Sequence, residues 1–285
     1  MREKTRRMDA GLGETPRKDA ASGEAPRKVA ASGNAPRGHA WRKAAGLLWG
    51  SVFTIALWWL LALAVDSPAL PTPAATWPAL VANMPRMLPE LGVSAFRLLA
   101  GLAIGAALGV PAGLALGRSR RADELLGPVL YVLYPLPKIV LLPVLFILFG
   151  LGGQTKIVLI AIVVFFQLAV TMRDAARNVP DAAVVSLRSL KATRRQVFSH
   201  VVVPATLPDL FTGLRVTCGI SVAILFIAES MAGSSGGLGY FVMHSYSLLE
   251  YEQMFAGIVV FAVFGIVLYE AFDVAERRLT RWRRM

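Results

Sequence analysis

The 285 residues contain a single cysteine, Cys218, set inside an apolar run, so the chain has no disulfide framework and no thiolate cluster with metal-ligand spacing. No Gly-x-x-x-x-Gly-Lys-Ser/Thr stretch occurs, which excludes a phosphate-binding loop and nucleotide hydrolysis by this chain. No catalytic residue, metal site or resident cofactor is expected. Acidic residues are also scarce, 18 against 30 Lys and Arg, giving a formal net charge of +12. Such an excess would suit a nucleic-acid surface, but its placement argues otherwise.

What the chain has in abundance is apolar sequence. Hydrophobic residues make up 55% and the mean hydropathy is +0.57, beyond what a soluble domain buries. Six segments approach the roughly 20 residues needed to cross a bilayer core. They are 44–65, 92–117, 128–150, 154–172, 209–232 and 253–273. The first begins too late and runs too long for a cleaved signal peptide, so it is expected to remain as a span.

Outside these spans, eleven Lys and Arg lie in the N-terminal tail, three in 118–127, six in 173–208 and five at the C-terminus. The alternate connections hold only Arg86. This asymmetry predicts an all-α, six-span membrane protein with both termini in the cytoplasm. It also removes the nucleic-acid reading, because topology explains the charge and no base-stacking aromatics accompany it. The lipid bilayer is the expected partner of the apolar surface.

Residues 1–43 carry a three-fold repeat of period ten around Gly13, Gly23 and Gly33, mixed with Pro, Ala and charge. That composition buries too little apolar surface to offset ordering, and a disordered cytoplasmic tail is expected. An adaptor or anionic-lipid role is the alternative. Residues 44–91 read as the first span and its extracytoplasmic connection, 92–275 as the permeation core with a large loop at 173–208, and 276–285 as a basic tail.

The second span has glycines at 101, 105, 109, 113 and 117. A four-residue step advances 400°, so the stripe drifts by about 40° per step and forms a slow spiral groove for a neighbouring backbone. In the third span, Tyr134-Pro-Leu-Pro-Lys138 and Pro143 break the pattern. Either the helix is interrupted with Lys138 near mid-membrane, or 122–137 form a cytoplasmic elbow; the cost of an unpaired intramembrane lysine favours the elbow.

The loop 173–208 implies two short amphipathic helices. The first follows Pro180 and places Val184, Leu187 and Leu190 together. The second follows Lys191-Ala192-Thr193, groups Val197, Phe198 and Val201, and is expected to stop at Pro204. Each is too short to span, and such a pair suits a membrane surface or a partner's groove.

This loop resembles the EAA motif of binding-protein-dependent ABC importer permeases. The resemblance continues through Thr212-Gly-Leu-Arg215, Ala228-Glu229, Gly236-Gly-Leu-Gly239-Tyr240 and Phe255-Ala-Gly-Ile-Val. With Arg97-Leu-Leu-Ala-Gly101 and Leu136–Pro143, it is similar to the branch handling sulfonate, taurine, nitrate, bicarbonate and pyrimidine precursors. It implies a type I importer permease fold, a homodimer with a second copy of the chain, two ATPase subunits carrying ATP and Mg, and an extracytoplasmic solute-binding protein. It places Val185, Leu187, Leu190, Lys191, Ala192, Pro204 and Pro208 in the ATPase-coupling element. Two positions depart from the pattern. Val185-Ser186-Leu187 stands for Glu-Ala-Ala, and Lys191 replaces the glycine of the turn. The hairpin is therefore expected to be more helical there, or Lys191 to meet an acidic group on the ATPase.

Arg97, Lys138, Arg215 and Glu229 are ionisable groups in or near lipid. They read as a candidate anion path or as structural pairs inside the bundle. Two other functional classes have weaker support. Gly233-Ser-Ser-Gly236 matches an intramembrane serine protease pattern, but His200 and His244 both fall in loops. An ion-coupled secondary transporter would leave the hairpin unexplained, and no internal repeat supports it.

Overall fold

A computed structural model describes residues 37–231 and 236–280. The period-ten repeat up to residue 36 and the serines of Gly233–Gly236 lie outside the described residues. The chain divides into two compact units, 1–52 and 53–285. Among the described residues the regular structure is helical throughout. Five helices are long and apolar enough to cross a membrane, six when a sharply bent pair counts as one span.

α1 (Arg37–Val65) starts seven residues before the expected boundary at 44. From Phe53 onward its apolar side chains are exposed almost without interruption, a surface suited to lipid. α2 (Pro73–Arg118) corrects the reading of 66–91 as a connection, since its 46 residues run unbroken through Pro78, Pro85, Pro89 and Pro111. Thr72 caps it, its hydroxyl accepting from the Ala75 amide at 3.3 Å, and Pro73 stands in the first turn, where no amide bond is lost. Each internal proline costs about 3 kcal/mol or more in isolation. Leu80, Met84, Met87 and Leu91 recur at helical spacing and pack into the main core, which sustains the helix past these breaks.

α3 (Arg120–Leu133) and the segment Lys138–Phe149 are bent by 86° at residues 134–137, so 128–150 is not one straight helix. The segment is a 3₁₀ turn, Lys138–Leu141, leading into α4 (Leu142–Phe149). The break falls at the two prolines, and α4 is too short to cross a bilayer alone, so no full span starts after the break.

α5 (Gly153–Arg177) lies along α2. A Cβ placed on Gly101 would meet the Ile160 Cβ at 2.6 Å, on Gly105 the Val164 Cβ at 2.5 Å, and on Gly109 the Phe165 carbonyl at 2.8 Å. On Gly113 it would meet Met172 Cβ at 2.8 Å, and on Gly117 Ala176 Cβ at 2.7 Å. Contact positions rise together along both helices, so the two run parallel and in register, with all five glycines against one partner.

After α5 come α6 (Asp181–Ser189) and α7 (Arg194–Val197). A π turn, Phe198–Val202, then leads directly into α8 (Val203–Ser230). Pro204 therefore does not end the second short helix. It has no amide to donate, and the wider π turn, closed by the Val203 amide on the Phe198 carbonyl, absorbs the misfit and lets the helix continue. α9 (Leu238–Ser247) and α10 (Tyr251–Leu279) complete the fold. The main core unites α2, α5, α8, α9 and α10 around Leu98, Ile160, Val164, Leu225, Leu238 and Ala256.

Candidate functional site

Two regions carry groups whose placement exceeds packing needs. One is the hairpin of α6 and α7. A cluster of Leu114, Met172, Ala176, Val179, Val184, Val197 and Val202 seats it on the ends of α2 and α5. Val184 is buried as expected, but Leu190 does not share its face. Leu190 is 80% exposed and Val185 60%, so both project from a rigid mount.

The turn between the two helices is closed in a specific way. The Lys191 amide donates to the Arg188 carbonyl at 2.9 Å and the Ala192 amide to Leu187 at 3.2 Å. This is a Schellman motif, and Lys191 occupies its left-handed position with φ 60°. The hairpin is thus not more helical for lacking glycine; lysine adopts glycine's conformation. Thr193 then starts α7 in a capping box, its hydroxyl accepting from the Gln196 amide and its own amide donating to the Gln196 side chain at 2.8 Å. These two motifs over-determine the turn and hold Lys191 against a left-handed cost of about 1–2 kcal/mol. Lys191→Gly is expected to raise the thermal unfolding midpoint and Lys191→Val to lower it; equal midpoints in differential scanning fluorimetry would contradict a strained turn.

The second region is a buried polar cluster at the opposite end of α8. Glu229, fully buried, takes a salt bridge of 2.8 Å from Arg97 and a 2.7 Å hydrogen bond from the Ser94 hydroxyl. Arg97 also donates to the Gly236 carbonyl at 2.8 Å. The first amides of α9 are distributed over the same side chains. Gly239 donates to Glu229 at 3.1 Å, Leu238 to the Ser94 hydroxyl at 2.8 Å, and Gly237 to Glu90. Carboxylates thus face the positive end of α9, where its amides have no intrahelical acceptor. Gly236 and Gly237 have φ of 70° and 106°, so the Gly-Gly-Leu-Gly run is the loop that lets backbone reach this cluster. Lys156, also fully buried, donates to the Leu151 carbonyl at 3.4 Å near the start of α5.

Residues 92–281 match the family of binding-protein-dependent transport system inner membrane components. The chain belongs to this family. It is 33% identical over 250 residues to a putative aliphatic sulfonates transport permease protein of Bacillus subtilis, covering 86% of this chain and 89% of the relative. It is 32% identical over 193 residues to the taurine transport system permease protein of Escherichia coli, covering 68% and 70%. In fold it is similar to the methionine ABC transporter solved in inward-facing conformations, with a TM-score of 0.58, 18% identity, and coverage of 68% of this chain and 96% of that one. The expected membership among ABC importer permeases, with sulfonate and taurine permeases as relatives, stands.

In this permease the four ionisable residues singled out from sequence each have local partners in the structure. Arg97 and Glu229 pair with each other. Arg215 lies fourteen residues from Glu229, about 21 Å along α8 at 1.5 Å per residue. It pairs instead with Asp273 at 2.9 Å and Glu276 at 2.8 Å on α10. Lys138 donates to the Tyr134 carbonyl, freed by the proline break, and sits 5.2 Å from the Tyr134 and Phe166 ring centroids.

Sequence reasoning missed Glu90, Ser94 and Lys156. Glu90, Ser94 and Arg97 recur at i, i+4 and i+7, a single helical face, which was legible only once 73–91 was read as helix. Another unforeseen pairing ties α3 to α5. Arg173 donates to Asp123, and to the Tyr131 hydroxyl at 2.6 Å, while Arg177 reaches the other oxygen of Asp123.

Proposed function

We propose that this chain is the membrane-spanning subunit of an importer in which two copies form the path, two ATPase subunits bind on the cytoplasmic side with ATP and Mg, and an extracytoplasmic protein delivers the solute. The observation that carries the reading is the hairpin: a rigidly seated, solvent-facing element displaying Val185 and Leu190 on the end richest in Lys and Arg. Exposed aliphatic side chains on a fixed mount suit docking into a partner's groove. Val185, Leu187, Leu190, Lys191 and Ala192 form the docking element, and Pro204 and Pro208 lie where it joins α8. The basic asymmetry supports a cytoplasmic position for this end and both termini, and the family supports a bacterial inner membrane as the location.

The relatives named for aliphatic sulfonates and taurine support a small organic sulfonate as the cargo class. Nitrate and a pyrimidine precursor are the other solutes handled within the family branch. The decisive test is uptake of radiolabelled taurine or methanesulfonate by cells expressing the chain with its neighbouring ATPase and binding protein. Replacing Lys191 and Ala192 by glutamate is expected to abolish uptake and transport-coupled ATP hydrolysis while the permease still inserts in the membrane. Normal coupling in that variant would refute the assignment of the hairpin, and uptake independent of ATP would favour a secondary transporter.

A further inference from the structure

At the hairpin end, the last turn of α2, the last turn of α6 and the start of α7 border an open cleft of about 400 Å³. Arg118, Arg188 and Arg194 line it, over an apolar floor of Val197, Phe198 and Val202. Val197 and Val202 are buried beneath it and belong to the cluster that seats the hairpin, so the floor is fixed. The Arg118 guanidinium leans on the Ala176 carbonyl at 3.5 Å, which anchors one wall to the end of α5.

The charge in this cleft is one-sided. The neighbouring carboxylates are engaged with other arginines: Glu124 with Arg120 at 2.8 Å, Asp123 with Arg173 and Arg177, and Asp174 with Arg173 at 3.3 Å. Among the described residues no carboxylate lies within ion-pair distance of Arg118, Arg188 or Arg194. Asp181, on the same helix as Arg188, is seven residues back, about 10 Å along the axis. Three guanidiniums with like charge repel one another, and convergence on a shared space is relieved by an anion that accepts from several of them. Guanidinium groups match tetrahedral oxyanions through paired N–H donors, more specifically than ammonium groups do. The apolar floor adds a second requirement, since a bare inorganic ion would leave Phe198 facing water.

We infer that this cleft binds a tetrahedral oxyanion carried on an apolar stem, the chemistry shared by an anionic phospholipid headgroup and an alkanesulfonate. Its volume falls within the usual range for small-ligand sites. It lies at the end of α2, on the side proposed to face the cytoplasm, and basic pockets between helices on that side hold anionic lipid headgroups. The site is separate from the buried Arg97–Glu229 cluster, and its test does not require transport, so it stands or falls independently of the proposed cargo.

The experiment uses the purified full-length permease in neutral detergent, with thermal unfolding followed by tryptophan fluorescence. Dioleoylphosphatidylglycerol, dioleoylphosphatidylcholine, sodium octanesulfonate and sodium chloride at matched ionic strength are titrated separately. Phosphatidylglycerol is expected to raise the midpoint and phosphatidylcholine to leave it unchanged. In Arg188→Gln/Arg194→Gln the half-saturating concentration should rise by about tenfold or more. Arg120→Gln/Arg195→Gln, outside the cleft, should respond like the parent. Native mass spectrometry counts phospholipid retained by parent and cleft variant, a readout that does not depend on their relative stability. A response confined to octanesulfonate and lost in the cleft variant supports the site and assigns it to a soluble anion. The inference is overturned by an equal response in the cleft variant, or by no response to either anion.

Discussion

Gly109→Ala is expected to abolish recovery of a monodisperse permease, whereas Gly219→Ala leaves it intact or improves it. The added methyl at residue 109 meets the Phe165 carbonyl oxygen at 2.8 Å, its Cα at 3.1 Å and its carbonyl carbon at 3.3 Å, all backbone atoms. No rotamer change relieves that overlap, so α2 and α5 must separate. Overpacking costs about 1–3 kcal/mol where side chains yield. Here the displacement is shared by a parallel contact that extends through four further glycines, and the loss should lie at or above the top of that range. Gly219 offers the matched control, because a Cβ there meets nothing within 4 Å and alanine gains about 1 kcal/mol of helix propensity. Size-exclusion profiles and thermal midpoints of the two variants make the comparison. Similar behaviour would show that the close approach is not needed for the fold.

The second large effect is expected at Glu229. Glu229→Ala removes the partner of Arg97, the acceptor for the Gly239 amide and the acceptor for the Ser94 hydroxyl at once. Breaking one side of a buried ion pair typically costs about 3–5 kcal/mol, because the remaining charge stays buried. The Arg97→Met/Glu229→Met double variant should recover a large part of that loss. Single variants alone cannot separate pairing from packing, so thermal unfolding of Arg97→Met, Glu229→Met and the double variant is read as a cycle. Additive losses would show that the two residues act independently and that the pair is incidental.

The membrane character and the helical class were legible because lipid imposes a length and charge pattern that needs no tertiary information. The glycine stripe was legible for a related reason, since a spacing of four is a statement about one helix face, and α5 proved to be the neighbour along its whole length. What sequence could not supply was pairing between distant segments. Arg215 and Glu229 looked alike as charges within one span, yet they belong to opposite ends of α8 and to different partners. Prolines were an uneven guide. At 134–137 they mark a real bend, whereas at 78, 85, 89 and 204 the surrounding packing or a π turn carries the helix through. Lys191 shows the same limit at a single residue: its type argues against a left-handed turn, and the Schellman and capping-box hydrogen bonds on either side impose one.

The parallel contact of α2 and α5 has a mechanical consequence. Because each glycine is filled by the backbone or Cβ of the facing helix, sliding one helix past the other by a single residue would drive a side chain into a carbonyl at several levels together. The two helices therefore form a stiff spar. The hairpin is seated on the end of that spar through Leu114, Met172 and Ala176, while toward the other end Arg97 of α2 pairs with Glu229 of α8. The regular hydrogen-bond ladder is interrupted away from this spar, at the proline bend of 134–137.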